Sequence, residues 1–119
     1  MEPLANTSNG SITVYNNSIK EIEEKIFTFR GIQVMIDKDL ADVYGVKTKA
    51  LNQAVKRNIE RFPERYRFQI SDNELDELVT KCDRLQILKH SSSNPYAFTE
   101  QGVSMLASVL KSCKKERIG

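Results

Sequence analysis

An α+β fold is predicted for this 119-residue chain: a β-hairpin leading into a helix-turn-helix, with further short strands and two more helices. Three observations carry the prediction. Ile26 to Ile36 reads IFTFRGIQVMI, two β-rich runs around an Arg-Gly pair. Asp37 to Ile59 reads as two short helical periods interrupted at Gly45. Tyr66 to Ile70 alternates apolar and polar residues, and further helical periods open after Ser71 and Thr99.

Met1 to Asn17 is polar and poor in large apolar residues, so it is expected to be a flexible tail. Ser18 to Ile26 fits either a short helix or an extended lead-in. In the hairpin, Gly31 supplies a residue tolerant of positive φ, and a two-residue turn and a bulged or longer loop are equally compatible with Arg-Gly. Asp37 is expected to cap a helix carrying Leu40, Ala41 and Tyr44 on one face and ending at Gly45. Thr48 is expected to cap the next helix, whose apolar side is Leu51, Ala54, Val55, Asn58 and Ile59 before Pro63 closes the segment. Tyr66, Phe68 and Ile70 then alternate as a strand. Ser71-Asp72-Asn73-Glu74 is a capping box for a helix with Leu75, Leu78, Val79 and Cys82 inward. Leu85 to Leu88 and Tyr96 to Phe98 read as two short strands joined by a Ser/Asn/Pro loop. Thr99 caps a last helix with Val103, Leu106, Ala107 and Leu110 inward. The domain is expected over 18–112, with a basic C-terminal tail over 113–119.

The size, with 39% hydrophobic and 29% charged residues, suits one compact domain rather than a multi-domain enzyme. No apolar run approaches the length of a spanning helix, and the N-terminus lacks the charge and apolar stretch of a secretory signal, so a cytoplasmic protein is expected. Cys82 and Cys113 have neither metal nor disulfide-framework spacing, and reduced thiols are the expectation.

Counting Asp37 as the first of twenty positions puts Leu40, Tyr44, Val46, Leu51 and Ala54 at positions 4, 8, 10, 15 and 18, with Ala41 and Gly45 at 5 and 9. That is helix-turn-helix spacing: the small Ala41 lets the second helix cross closely, Gly45 permits a left-handed turn, and the apolar set joins both helices to the core. At 100° per residue from Leu51, Lys49, Gln53 and Lys56 fall on the opposite side, with Asn52 and Arg57 flanking. Asn and Gln offer paired donors and acceptors to base edges, and Lys and Arg offer charge to phosphates.

Net charge is only +2, but it is unevenly distributed. Lys47 to Arg67 carries seven basic residues (Lys47, Lys49, Lys56, Arg57, Arg61, Arg65, Arg67) against Glu60 and Glu64. Asp72 to Asp83 carries five acidic residues against Lys81 alone. Counterion release favours docking the positive lobe on nucleic acid, with the acidic helix facing away. The remaining chemistry is sparse. His90 is an isolated loop histidine, Gly102 to Leu106 lacks the second glycine of a nucleophile elbow, and Asp37, Asp39 and Asp42 read as helix-start charges before a metal site.

The run FRGIQVMIDKDLADVYGVKTKALNQAVKRNIERFPERYRFQIS (Phe29 to Ser71), followed by PYAFTEQGVSMLASVLKS (Pro95 to Ser112), strongly resembles the phage ORF-six N-terminal domain of the KilA-N superfamily. Both blocks match in order and cover most of the chain outside the tail; RNIERFP and YAFTEQG are the most specific stretches. The resemblance implies a small α+β DNA-binding domain of bacteriophages, prophages and related mobile elements, often fused to variable C-terminal regions in antirepressor-like or regulatory proteins. It implies no catalysis and no cofactor. Members often carry an acidic residue where Arg65 stands.

The expected function is sequence-specific binding of double-stranded DNA in transcriptional or antirepressor-type regulation. Lys49, Asn52, Gln53 and Lys56 are assigned to the groove, and Lys47, Thr48, Arg57, Arg61 and Arg65 to backbone phosphates. A homodimer is expected to suit paired half-sites, with Glu100 to Lys111 as a candidate interface. The alternatives are a module that binds a repressor protein through the acidic Asp72 to Asp83 helix, and a metal-dependent DNA-processing enzyme using Asp37 or Asp39.

Overall fold

The computed structural model describes residues 22–118, with side-chain surroundings for 22–111. The expected N-terminal tail, and the environment of Cys113, lie outside the described residues. The lead-in is helical where it is first described: the amides of Lys25 and Ile26 donate to the carbonyls of Ile22 and Glu23.

β1 (Phe27–Phe29) and β2 (Ile32–Ile36) form a hairpin with Phe29 opposite Ile32, so its turn is the two residues Arg30 and Gly31. Both have positive φ, 56° and 73°, the combination whose twist matches that of the flanking strands. A non-glycine residue there costs roughly 1–2 kcal/mol. Arg30 is held in place by a forked contact with Glu74 at 3.0 and 3.2 Å and by stacking 4.1 Å above the Phe68 ring.

β4 (Tyr96–Phe98) pairs with β2 on one side and with β3 (Arg67–Gln69) on the other, completing an antiparallel sheet of order β1-β2-β4-β3. The period of two sorts its side chains onto two cores. Met35 and Phe98 face a layer made by α1 (Asp37–Tyr44), α2 (Thr48–Arg57) and α4 (Glu100–Ile118), packing with Leu40, Leu51, Val55, Leu106 and Val109. Val34, Ile36, Phe68 and Ala97 face the other layer, made by α3 (Asp72–Lys81) and a 3-10 segment (Asp83–His90), through Leu78 and Leu85. The sheet therefore stands between the helix-turn-helix and the acidic helix.

Several local expectations need correction. Leu85 to Leu88 is not a strand but part of the 3-10 segment. Both edges of β4 are already hydrogen-bonded by β2 and β3, and Leu85 and Leu88, three residues apart, meet the second core from one side of a three-residue turn while Ile87 is 66% exposed. Thr48 is the first helical residue rather than the cap, which is Lys47, and Asp37 likewise starts α1 after Ile36. α2 stops at Arg57 because Asn58 turns back: its amide Nδ2 donates to the Ala54 carbonyl and its backbone N–H to that of Val55. Ile59, expected inside, starts a separate 3-10 turn and is exposed.

The expected capping box at Ser71 and Glu74 is present, and the Thr99 hydroxyl accepts from the Gly102 amide at the start of α4. The backbone of α4 continues to Ile118, through most of the stretch expected as a basic tail. No helix among the described residues is long and apolar enough to cross a membrane.

Candidate nucleic-acid interface

The turn between α1 and α2 is built as its spacing requires. Gly45 sits at φ 68°, its N–H donating to the Asp42 carbonyl while Val46 donates to that of Ala41, a paired arrangement that satisfies the open carbonyls of α1. Ala41 is fully buried at the crossing, and Leu51, Ala54 and Val55 press α2 onto the core.

A second, polar attachment was not anticipated from the sequence. Asp37, only 5% exposed, accepts from Lys38 N through Oδ1 at 2.7 Å, and through Oδ2 from Asn52 Nδ2 at 2.9 Å and Tyr96 N at 3.3 Å. One carboxylate thus joins the start of α1, the middle of α2 and β4. Burial pushes its pKa up, against the hydrogen bonds and the positive Arg67, which pull it down. Asp39, fully buried, accepts a guanidinium fork from Arg84 and ties α1 to the 3-10 segment of the opposite layer. The fifteen-residue separation of Asp37 and Asn52 carries no local pattern, so this pair was not visible in the sequence.

The opposite side of α2 is open. Lys47, Lys49, Gln53, Lys56 and Arg57 are exposed, and Lys49, Gln53 and Lys56, at i, i+4 and i+7, share a stripe about 60° wide. Thr48 is half-buried. Asn52 is half-buried and set apart from that stripe: its Nδ2 is committed to Asp37, and its Oδ1 is buried without a partner. It ties α2 to Asp37, and with Oδ1 buried its amide cannot present the paired donor and acceptor that a base edge takes. Arg61 is exposed on the turn after α2. Arg65 lies further away, ahead of β3, with its guanidinium 5.3 Å from the Tyr66 ring and its carbonyl accepting from the Thr99 hydroxyl.

Among the described residues the ion pairs are Arg30–Glu74, Lys38–Asp42, Lys81–Glu77 and Arg84–Asp39. None of them neutralises Lys47, Lys49, Lys56, Arg57, Arg61 or Arg65. Acidic Asp76 and Glu77 are exposed on α3, behind the sheet. The result is a cationic, amide-bearing helix face with no competing carboxylate partner, held rigidly from behind by apolar packing and by Asp37.

Compared with known protein families, residues 24–109 match the ORF6N domain. No curated protein and no solved structure gives a significant match.

Proposed function

The chain belongs to the ORF6N domain family, and from that premise we propose that it binds double-stranded DNA sequence-specifically through its helix-turn-helix, as a cytoplasmic regulator of phage or prophage type. The observation that carries this reading is the exposed stripe Lys49, Gln53 and Lys56, flanked by Lys47, Arg57 and Arg61, which have no ion-pair partner among the described residues, on a helix whose other face is anchored. An α-helix fits a major groove, where Gln53 offers a paired donor and acceptor suited to adenine. Lys49 and Lys56 add charge beside it, and Thr48, Lys47, Arg57 and Arg61 are positioned for phosphates on either side. Asn52 is proposed as a positioning residue, because one N–H serves Asp37 and its Oδ1 is buried away from any base edge. Arg65, off the helix, is proposed as an outlying phosphate contact.

Asp37 and Asp39, the carboxylates on which a metal-dependent reading would depend, are committed to internal donors. One reading helix covers few base pairs, so a homodimer on paired half-sites is the proposed binding form.

Selection of bound fragments from a random duplex pool at two salt concentrations tests the reading. The expected product is an enriched motif, repeated with half-sites about 10 base pairs apart. Arg57→Ala should weaken all sequences alike and flatten the dependence of log affinity on log salt by about one unit, whereas Gln53→Ala should change preference among sites by about 1–3 kcal/mol. Failure to enrich any duplex, together with salt-insensitive capture of a repressor protein through α3, would replace DNA binding with the protein-interaction reading.

A further inference from the structure

A groove of about 650 Å³ runs beside the N-terminal half of α2, with Lys38, Thr48 and Lys49 on one side and the loop from His90 to Asn94 on the other. Its exposed polar content is one-sided. Lys49, Thr48, His90, Ser91, Ser92 and Ser93 line it, together with Lys38, whose Nζ lies 3.9 Å from the exposed Asp42 carboxylate. The carboxylate in its lining is that of Asp37, buried and turned to three internal donors.

The loop opposite α2 is also held in place, although its serines are exposed. Asn94 Nδ2 donates to the Ile70 carbonyl at 3.0 Å and to Asp72 at 2.9 Å, and the Asn94 carbonyl accepts from Gln69 at 3.0 Å. The Ile70 amide donates to Pro95, and the Ser91 amide to Leu88, closing the loop at both ends. Exposed donors on a pre-ordered loop lose little entropy when they bind. Three short hydroxyl side chains without a carboxylate among them match an anion better than an apolar or cationic partner.

In helix-turn-helix docking the N-terminal residues of the second helix lie nearest the base edges, and the sugar-phosphate strand passes along the rim of the groove they enter. The cleft is lined by Thr48 and Lys49 of that same N-terminal turn of α2. We infer that the Ser91–Ser93 loop is a second DNA-contacting element, which together with Lys38 and Lys49 clamps a backbone phosphate next to the bases read by α2. The inference rests on the DNA-binding reading above and adds to it a contact surface outside the helix-turn-helix. The sequence offered no sign of it, because the loop lies more than forty positions from Thr48 and Lys49 and its serines look like an ordinary connection.

Phosphate-ethylation interference and anisotropy titrations of the full chain on its selected duplex test the clamp. Wild type should show interference at a phosphate flanking the bases sensitive to Gln53→Ala. Changing Ser91, Ser92 and Ser93 together to Ala should abolish that interference and lower affinity about 3- to 10-fold, with site preference unchanged. Ser92→Asp, which places a negative charge in the cleft, should lower affinity further, and Lys38→Ala should flatten the salt dependence by about one unit. These positions are exposed or half-exposed, so thermal melting should match wild type. If wild type binds its duplex and the serine variants bind it equally well with the same interference pattern, the clamp is wrong while the DNA-binding reading stands. If wild type binds no duplex, both fall.

Discussion

Asp37 and Glu74 are two carboxylates that the fold treats oppositely. Asp37 is buried among three donors, so replacing it with Ala strands the Asn52 amide and the Tyr96 N–H without an acceptor. Asp37→Ala should cost about 2–3 kcal/mol in chemical denaturation. Its raised pKa means that the folded chain holds the proton more tightly than the unfolded chain. Its contribution therefore favours folding at low pH and weakens as pH rises from the ordinary carboxylate range through the raised value. Glu74 is lowered, chiefly by the hydrogen bond from Arg30, so its contribution is complete above the ordinary range and is lost as pH falls through the lowered value. Glu74→Gln preserves a side chain able to complete the capping box while removing the charge that holds Arg30. Wild type should exceed this variant by about 0.5–1 kcal/mol at neutral pH, as expected for an exposed pair, and the gap should close as urea titrations are moved toward pH 3.

Among the elements, α4 shows how closely the helical layer meets the sheet. A Cβ on Gly102 would lie 1.9 Å from the Tyr66 carbonyl oxygen, which also accepts from the Thr99 amide at 2.9 Å. The first turn of α4 is pressed onto the backbone leading into β3, and only a residue without a side chain allows that approach. Gly102→Ala should destabilise the protein by about 2–3 kcal/mol, read as a lowered denaturation midpoint. Gly45→Ala meets no atom within 4 Å, so its cost is confined to the left-handed backbone, about 1 kcal/mol. The hairpin, the turn at Gly45, the capping box and the start of α4 were legible because each is written within a few neighbouring residues. The 3-10 segment was not, since LQIL fits a strand locally, while in the fold β4 is paired on both sides and Leu85 and Leu88 reach the core at a three-residue spacing.

At the scale of the whole molecule, the sheet divides the charge. The cations of α2 lie on one side, and Asp76 and Glu77 of α3 on the other. At physiological salt, interactions between exposed charges fade beyond about 8 Å, so α3 should influence DNA binding weakly. Asp76→Asn should change duplex affinity less than twofold, while Lys56→Asn should lower it several-fold; titration at 150 mM salt compares the two. A near-neutral total of +2 thus coexists with a strongly polar distribution, and it is the distribution that bears on a polyanion.

The order of residues was enough by itself to establish the α+β class, the helix-turn-helix spacing and the cationic stripe of α2, because helical and strand periods and charge runs are local properties of a chain. Tertiary structure alone decided which polar groups on α2 are free. Asn52 and Gln53 are neighbours of similar chemistry, yet one is bound to a carboxylate fifteen residues away and the other is exposed. It also decided that the serine loop stands across a groove from Thr48 and Lys49. Both outcomes depend on the packing of segments distant in sequence, where burial makes an unpaired polar group expensive and so selects its partner from whatever the fold brings within reach.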